Sequence, residues 1–558
     1  MEATYCLPFM MREMKALTGG HPVAELMLMF SFAYMVEGAS GFGTPVALGA
    51  PMLVNLGHPP VESVVILLIF NTFATVWGAV GTPIWFGYGG LGLTDDDLVE
   101  VSKKAAVCLA VSAFCLVPLA LTILVPWKAV QANIFFVAGA LLTCVGPSLG
   151  IAYAGSYEFP SLIGGMIGCL GTAVLIKCKV GLTALDDENL EELGRDVEHI
   201  ASVSENSLVR KDPTSTSSLT EKTDTEVGAK RKLETAVSAL SDGPDTKEVA
   251  VEKRTVATYA GGSSDENDER PIVDDTPIAA NLNDTVDDHL GPRKSWREGY
   301  LQDVILRTAP IWAVVLILII TRVEQIGVKE YLTELEPYFS IHFGTYGTFR
   351  LSVSIVLQLR DILTYPNLNW KYELLYLPFL MPFVLVSCMT MFIFRKGAIH
   401  GPFAIAKVVA SRLANPAIAL LGALVLVQLM IRSGTAAPAF ILGNVLADWF
   451  QEAFIIIAPL LGALGSFFSG STTVSNLTFG DIDKIAAETI GLSVTSMLAL
   501  QAVGGSAGNG ICLNNIIAAC AVVGLDIGEG KILMKTFKFV FASTTIATIV
   551  SLAFFFRF

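Results

Sequence analysis

Long apolar runs constrain this chain more than any other feature of its sequence. Several segments approach or exceed about 18 predominantly apolar residues, the length at which a helix can cross a bilayer. Of the 558 residues, 53% are hydrophobic and only 16% are charged, a balance typical of membrane proteins rather than of soluble ones. The sequence therefore predicts an all-α polytopic membrane protein. The predicted spanning helices cover residues 61–80, 105–125, 132–152, 160–176, 304–320, 374–394, 416–431 and 537–556.

One segment, residues 181–298, carries almost all of the net charge of −14, with 27 acidic and 14 basic residues. It is rich in Ser and Thr and has no sustained helical or strand period, so its composition favours a disordered loop. The loop separates an N-terminal membrane half, residues 1–180, from a C-terminal membrane half, residues 299–558. Lysine and arginine near the ends of the predicted spans favour a cytoplasmic location for this loop. Residues 323–370 are only weakly apolar, and interfacial helices are predicted there.

Glycine-rich breaks interrupt the apolar runs at four places. Residues 37–45 separate two apolar arms and predict a broken hairpin over residues 22–56, and a second break follows at residues 81–92. The C-terminal half repeats this order, with a broken hairpin over residues 454–480 and a last break at residues 504–515. Backbone that leaves the helix at membrane depth must be buried in protein or line an aqueous cavity. Broken segments in corresponding positions of two halves predict an inverted-repeat transporter with its site between them.

The breaks offer donors for a small anion. Free N–H groups at the start of a half-helix hold negative charge, and hydroxyl and amide side chains add further donors without a lysine or arginine. The alternative is that these small residues only let helices pack closely. The predicted substrate-binding residues are Ser40, Gly41, Phe42, Gly43, Thr44, Asn71, Ser471, Thr472, Thr473, Ser475, Asn476, Asn509 and Asn514.

Glu37 is the only acidic residue between positions 26 and 56. An ionisable group inside a membrane segment is costly, which favours a functional role such as carrying a proton across the membrane. The alternative is a carboxylate that is hydrogen-bonded to a helix terminus. Glu25, near the start of its arm, is interpreted as an interfacial residue.

No other chemistry is indicated by the sequence. The nine cysteines form no CxxC pair, and no His, Asp or Glu cluster has the spacing of a metal site. No nucleophile–base arrangement and no phosphate-binding loop is evident, so neither an enzyme, a bound cofactor nor a nucleic-acid partner is predicted.

Four motifs resemble the L-lactate permease family. They are Glu-Gly-Ala-Ser-Gly-Phe-Gly-Thr-Pro-Val-Ala at residues 37–47, the stretch at residues 461–476, Leu-Gln-Ala-Val-Gly-Gly-Ser-Ala-Gly-Asn at residues 500–509, and Gly-Glu-Gly-Lys-Ile-Leu at residues 528–533. The resemblance covers about residues 22–90 and 373–540. It implies a proton-coupled symporter of lactate and related 2-hydroxy monocarboxylates, kinship with elevator-type ion transporters, and a multi-pass location in the plasma membrane.

The resemblance also implies alternatives. Residues 472–476 are similar to a sodium-site motif of sodium-coupled relatives, which leaves sodium coupling or exchange of other small carboxylates open. Members of the family usually carry further spanning helices before the first motif, so a chain truncated at its N-terminus, or a non-transporting receptor or scaffold, is a second alternative. An oligomer is compatible with either reading.

Overall fold

The computed structural model describes most of the chain outside the acidic segment. All described residues belong to the larger of two compact units, Met1–Val197 with Pro277–Phe558. The predicted disordered loop, apart from residues 181–183, lies outside the described residues, as do Phe42 and the predicted span at residues 416–431. The described residues are 6–41, 43–183, 300–323, 326–364, 370–377, 381–394, 438–525 and 529–556, with isolated positions between 401 and 436.

Nine α-helices are formed by the described residues of the N-terminal half. A short 3₁₀ turn, Thr75–Trp77, separates α4 from α5. The helices are α1 (Cys6–Thr18), α2 (Pro22–Ser40), α3 (Thr44–Asn55), α4 (Pro60–Thr72), α5 (Gly78–Trp85), α6 (Asp95–Leu121), α7 (Trp127–Ala132), α8 (Ile134–Tyr153) and α9 (Pro160–Lys177).

In the C-terminal half, the described residues form nine further α-helices and a small sheet. The helices are α10 (Tyr300–Arg322), α11 (Val328–Leu332), α12 (Met381–Ile393), α13 (Pro438–Phe450), α14 (Phe454–Ser469), α15 (Thr472–Ile490), α16 (Val494–Asn509), α17 (Leu513–Val523) and α18 (Glu529–Phe554), and the strands are β1 (Tyr338–His342), β2 (Thr348–Ser352), β3 (Val356–Arg360) and β4 (Trp370–Glu373).

Eight helical stretches among the described residues are long and apolar enough to cross a membrane, and the bent pair formed by Pro60–Thr72 and Thr75–Trp85 would make a ninth. The prediction of a polytopic helical membrane protein is therefore confirmed. The prediction that the fold is all-α is wrong, because β1 to β4 form an antiparallel sheet in that order. The interfacial helices predicted over residues 323–370 are largely replaced by this sheet. Strand β2 alternates polar and apolar residues, the period of a strand, and β3 does so from Leu357 onward.

Two predicted spans have different bounds in the structure. The helix predicted over residues 61–80 ends at Thr72, and the chain then bends by 60°. The span predicted over residues 374–394 shortens to the 13-residue helix α12, because residues 374–376 form a 3₁₀ turn instead. Thirteen residues of α-helix extend about 20 Å, less than the ~30 Å hydrocarbon core.

The two halves share an order of elements. Helices α2 and α3 form a hairpin that is broken at residues 41–43, and α4 and α5 follow as a bent pair. Helices α14 and α15 form a hairpin that is broken at residues 470–471, and α16 and α17 follow, separated at residues 510–512. Contacts between the halves are reciprocal: α3 packs on α17, and α15 packs on α5. Each hairpin thus contacts the broken helix of the opposite half.

Candidate functional site

The break between α2 and α3 is built on two glycines in the left-handed region. Gly41 ends α2 with φ +67°, and Gly43 is the N-cap of α3 with φ +69°. This conformation is costly for residues that carry a Cβ, so glycine is favoured at both positions. The hydroxyl of Thr44 donates to the Gly41 carbonyl at 2.8 Å, and that of Ser40 donates to the Val36 carbonyl at 2.8 Å. These two predicted site hydroxyls therefore brace the break.

Glu37 lies beside this break and is only 2% exposed. Its carboxylate lies near enough to the Gly43 N–H at the start of α3 to interact with it electrostatically. A methyl group placed on Gly78 would lie 2.8 Å from Glu37 Oε1, and Oε2 has no partner among the described residues. The side chain is thus wedged between the break and the start of α5. It fits both interpretations of the sequence, since it lies at a helix terminus and is also a buried acid with one oxygen that has no partner among the described residues.

A left-handed turn at the start of α5 packs against the same break. Ala79 and Val80 have φ values of +46° and +55°, which is an outlier conformation for a β-branched residue. Each such residue costs about 1–3 kcal/mol unless its surroundings hold it. Trp85 Nε1 donates to the Val80 carbonyl at 3.0 Å, which helps to hold the turn. A methyl group on Gly41 would lie 3.1 Å from Ala79 Cβ, so the two breaks are in direct contact.

The break in the second hairpin is closed by its own hydroxyls. Gly470 ends α14 with φ +70°, and Ser471 is the N-cap of α15, where its Oγ accepts from the Val474 N–H. Ser469 Oγ donates to the Ser471 carbonyl at 3.1 Å and accepts from the Ser471 N–H at 3.2 Å. The first N–H groups of any helix lack intrahelical partners, so the start of α15 is a donor-rich terminus.

Asn515 joins the two hairpin breaks. Methyl groups placed on Gly43 and on Gly470 would lie 3.2 Å and 3.6 Å, respectively, from its Oδ1 atom. Asn515 Nδ2 donates to Asn509 Oδ1, and Asn509 Nδ2 donates to the Gly470 carbonyl at 3.4 Å. Because Asn515 lies in the first turn of α17, the N-termini of α3, α15 and α17 meet around one amide. Each N-terminus carries a partial positive charge of about half an elementary unit.

The last predicted break is shorter than expected. Only residues 510–512 leave the helix, and the prediction that the break spans residues 504–515 is wrong. Gly504 and Gly508 lie inside α16, where an added methyl group would meet the carbonyl oxygens of Pro459 and Ala463 at 2.0 and 2.1 Å. These glycines therefore serve close packing of α16 on α14, as the helix-packing alternative proposed.

The other predicted site residues occupy different positions. Ser475 is buried and donates to the Gly462 carbonyl at 2.7 Å, which ties α15 to α14. Asn476 Nδ2 donates to the Pro83 carbonyl at 2.9 Å, which ties α15 to α5. Asn71 is buried at the end of α4, and its Oδ1 has no partner among the described residues. Thr473 is half-buried, whereas Asn514 is exposed beside the break. The structure thus brings Asn515 rather than Asn514 between the two hairpins.

Comparison with known proteins gives the family. The model of the L-lactate permease family matches residues 6–207 and 294–557. The chain belongs to the L-lactate permease family. A putative L-lactate permease of Haemophilus influenzae is 32% identical over 520 residues, which cover 92% of this chain and 77% of that protein.

Two further relatives match shorter segments of this family member. The L-lactate permease of Bacillus subtilis is 29% identical over 164 residues, 29% of this chain and 28% of that protein. The glycolate permease GlcA of Escherichia coli is 41% identical over 69 residues, 12% of each chain. No solved structure matches the chain significantly. These relatives identify a multi-pass membrane transporter of the permease family rather than an enzyme.

Sequence reasoning missed several residues of this region. Asn515 is not among the predicted substrate-binding residues, although its neighbour Asn514 is, and the strained turn at Ala79 and Val80 gives no signal in its residue types. Arg322 is buried at the end of α10, where it pairs with Glu158 at 2.9 Å next to the Gly81 turn. Asp483 is buried on α15, and its helical spacing from Asn476 could have revealed this, since residues seven apart share a face.

Proposed function

We propose that this protein is a secondary active transporter that carries L-lactate and related 2-hydroxy monocarboxylates across the plasma membrane together with protons. The observation that carries the proposal is the meeting of three helix N-termini around Asn515, beside the buried acid Glu37. A carboxylate is favoured at such termini by backbone N–H donors and by the helix dipoles. The relatives are L-lactate and glycolate permeases, and they supply the substrate class.

The position of Glu37 suggests how a proton and an anion would be coupled. Its carboxylate lies close to the Gly43 N–H, which belongs to one of the three termini. When Glu37 takes up a proton, its hold on this donor weakens, because a neutral acid is a poorer acceptor than a carboxylate. The donor is then open to the carboxylate of the substrate. Proton and substrate anion therefore favour each other's binding, which is the requirement for symport.

The shared order of elements supports an inverted repeat. Each half contains a broken hairpin followed by a broken helix, and each hairpin contacts the broken helix of the other half. We propose that the hairpin tips move across the membrane in an elevator-like shift. In the variant Ser471→Cys, a membrane-impermeant thiol reagent should then label the tip from either side during turnover. Labelling from one side only, with substrate or without it, would contradict an elevator.

Sodium coupling is the second candidate, and one cluster of oxygens favours it. Ser466 Oγ, Thr472 Oγ1 and Gln501 Oε1 are buried, and none has a hydrogen-bond partner within the described chain. A methyl group on Gly505 would lie 3.2 Å from Ser466 Oγ and 3.1 Å from Thr472 Cγ2, so the cluster lies inside the second hairpin. Neutral oxygens near an unwound helix are suited to an alkali cation.

Uptake of labelled L-lactate into proteoliposomes tests these proposals. An inward proton gradient should drive accumulation that a protonophore abolishes, and replacing sodium with choline should leave it unchanged. Accumulation that requires sodium and ignores the proton gradient would favour the second candidate. Binding of labelled lactate without uptake under either gradient would support a receptor and overturn transport.

A further inference from the structure

Asp483 is a buried acid that the proposed function does not use. It lies on α15, its side chain is 0% exposed, and neither carboxylate oxygen has a hydrogen-bond partner among the described residues. An ionised carboxylate in such a place loses its hydration and gains no donor or counter-ion in return, at a cost of several kcal/mol or more. A protonated carboxyl group avoids most of this cost.

Within the described part of the chain, the helices packed against α15 supply no counter-ion. Helix α15 contacts α5, α13, α14 and α16, and the sequences of α5, α14 and α16 contain no charged residue. The only charged residue of α13 is the exposed Asp448. Tyr88, in the turn after α5, lies near enough to Asp483 to interact with it electrostatically. Its hydroxyl donates to the Leu498 carbonyl at 2.7 Å and is therefore committed elsewhere.

The charged neighbours on α15 itself do not neutralise Asp483 either. Lys484 Nζ donates to the Leu91 carbonyl at 2.7 Å and lies 3.8 Å from Glu488 Oε1, which places this cation with other partners. Asp481 is another acid and is half-buried. The lysine that follows Asp483 in sequence is thus not its ion-pair partner.

We propose that Asp483 holds a proton while α15 is packed against α16 and Tyr88, and that it releases this proton to water when transport separates these elements. The O–H bond of the carboxyl group breaks in that step, and the proton leaves to the side of the membrane to which α15 opens. Asp483 is then a second proton-binding residue, on the second hairpin, as Glu37 is on the first. This inference rests on the proposed transport of a monocarboxylate with protons.

The distance from the breaks separates Asp483 from the substrate. Asp483 follows Thr472 by eleven residues, which corresponds to about 16 Å along the helix. It therefore does not touch an anion held at the start of α15. Its role is to set the number of protons that are moved per lactate and the packing of the moving hairpin. It does not bind lactate.

Infrared spectroscopy of the purified full-length protein tests the protonation itself, without any transport. A protonated carboxylic acid gives a carbonyl stretching band that a carboxylate lacks. At neutral pH, Asp483→Asn should remove one such band, and the matched variant Asp481→Asn on the same helix should not. An unchanged band in Asp483→Asn would show that Asp483 is ionised, and would overturn the inference whatever the protein transports.

Flux measurements in proteoliposomes test the release step. Lactate uptake and internal acidification, measured together, give the number of protons moved per substrate. We expect this number to fall by one in Asp483→Asn, to return in Asp483→Glu, and to remain unchanged in Asp481→Asn. An unchanged ratio in Asp483→Asn would mean that Asp483 keeps its proton throughout the cycle, which overturns the inference. Failure of the wild-type protein to move lactate would instead overturn the proposed function, while the infrared result still decides whether Asp483 is protonated.

Discussion

Asn476 donates a hydrogen bond from Nδ2 to the carbonyl oxygen of Pro83 at 2.9 Å, across the two halves of the chain. The donor belongs to α15 of the second hairpin, and the acceptor belongs to α5, next to the strained turn at Ala79 and Val80. Because α5 ends at Trp85, the Pro83 carbonyl is among the last four of this helix, which have no intrahelical donor and need another partner when they are buried. This single bond therefore ties the position of one hairpin to the break of the opposite half.

Replacement of Asn476 by alanine should lower both stability and transport rate. The loss of a donor to a buried carbonyl costs about 1–3 kcal/mol. We expect a lower melting temperature in detergent and a reduced maximal uptake rate. The control is Asn444→Ala, which removes a solvent-exposed amide-to-carbonyl bond of the same 2.9 Å length within α13 and an exposed bond from Thr489 of α15. Equal effects of the two substitutions would contradict a special role for the Asn476–Pro83 bond.

Gly43 allows a second test, of the meeting point at Asn515. In Gly43→Ala, the left-handed conformation of the alanine destabilises the fold by about 1–2 kcal/mol. The new methyl group would also lie 3.2 Å from Asn515 Oδ1. Gly92→Ala has the same backbone strain, since φ at this position is +67°, but its methyl group would meet no atom within 4 Å. We expect similar losses of thermal stability in both variants and a loss of lactate uptake, about tenfold or more, only in Gly43→Ala. Uptake that falls equally in both would argue against a site at Asn515.

The breaks were predictable where residue chemistry forces them. Gly41, Gly43 and Gly470 adopt left-handed angles that favour glycine, and Ser471 is a good N-cap residue, so local sequence marks both hairpin tips. The bend after Thr72 was not predictable in this way. It is held by a tertiary contact, because Ser506 Oγ of α16 donates to the Thr72 carbonyl from the other half of the chain.

Other differences between prediction and structure have equally specific causes. Asn514 and Asn515 have the same chemistry, and only the helical rotation of about 100° per residue decides which one faces the hairpin tips. The left-handed Ala79 and Val80 contradict their own propensities and depend on hydrogen bonds from Trp85 and Thr82. The sheet is not predicted because its short strands are only weakly apolar, and the alternation of polar and apolar residues in β2 extends over five residues only.

His58 makes a contact that its surroundings in the sequence do not suggest. Its Nε2 lies 3.0 Å from Glu25 Oε2, and Thr18 Oγ1 donates to Glu25 Oε1 at 3.2 Å. The pair is buried and joins the start of α2 to the segment after α3, which closes the base of the first hairpin. Glu25, interpreted from the sequence as interfacial, is thus a partner within this hairpin.

Substitution of His58 by alanine should therefore destabilise the protein. The Glu25 oxygen that faces His58 would lose its partner while it stays buried, at a cost of about 1–3 kcal/mol. We expect a lower melting temperature and the same number of protons per lactate. The control is His342→Ala, which removes an exposed bond to Thr348 and should change stability by less than about 0.5 kcal/mol. A melting temperature that does not respond to His58→Ala would show that the pair does not stabilise the hairpin.

Glu37→Gln tests the coupling of proton and substrate directly. Glutamine has nearly the same size and still offers an oxygen to the Gly43 N–H, but it can neither bind nor release a proton. The variant should therefore still exchange labelled for unlabelled lactate, because in exchange the transporter crosses the membrane with substrate bound in both directions. Accumulation driven by a proton gradient should be lost. Glu25→Gln, on the same helix and also buried, should keep accumulation, because its carboxyl group contacts His58 and Thr18 rather than a hairpin break. If Glu37→Gln accumulates lactate as well as the wild-type protein does, the buried acid serves only as a cap of α3, and the coupling proton must be carried by another group.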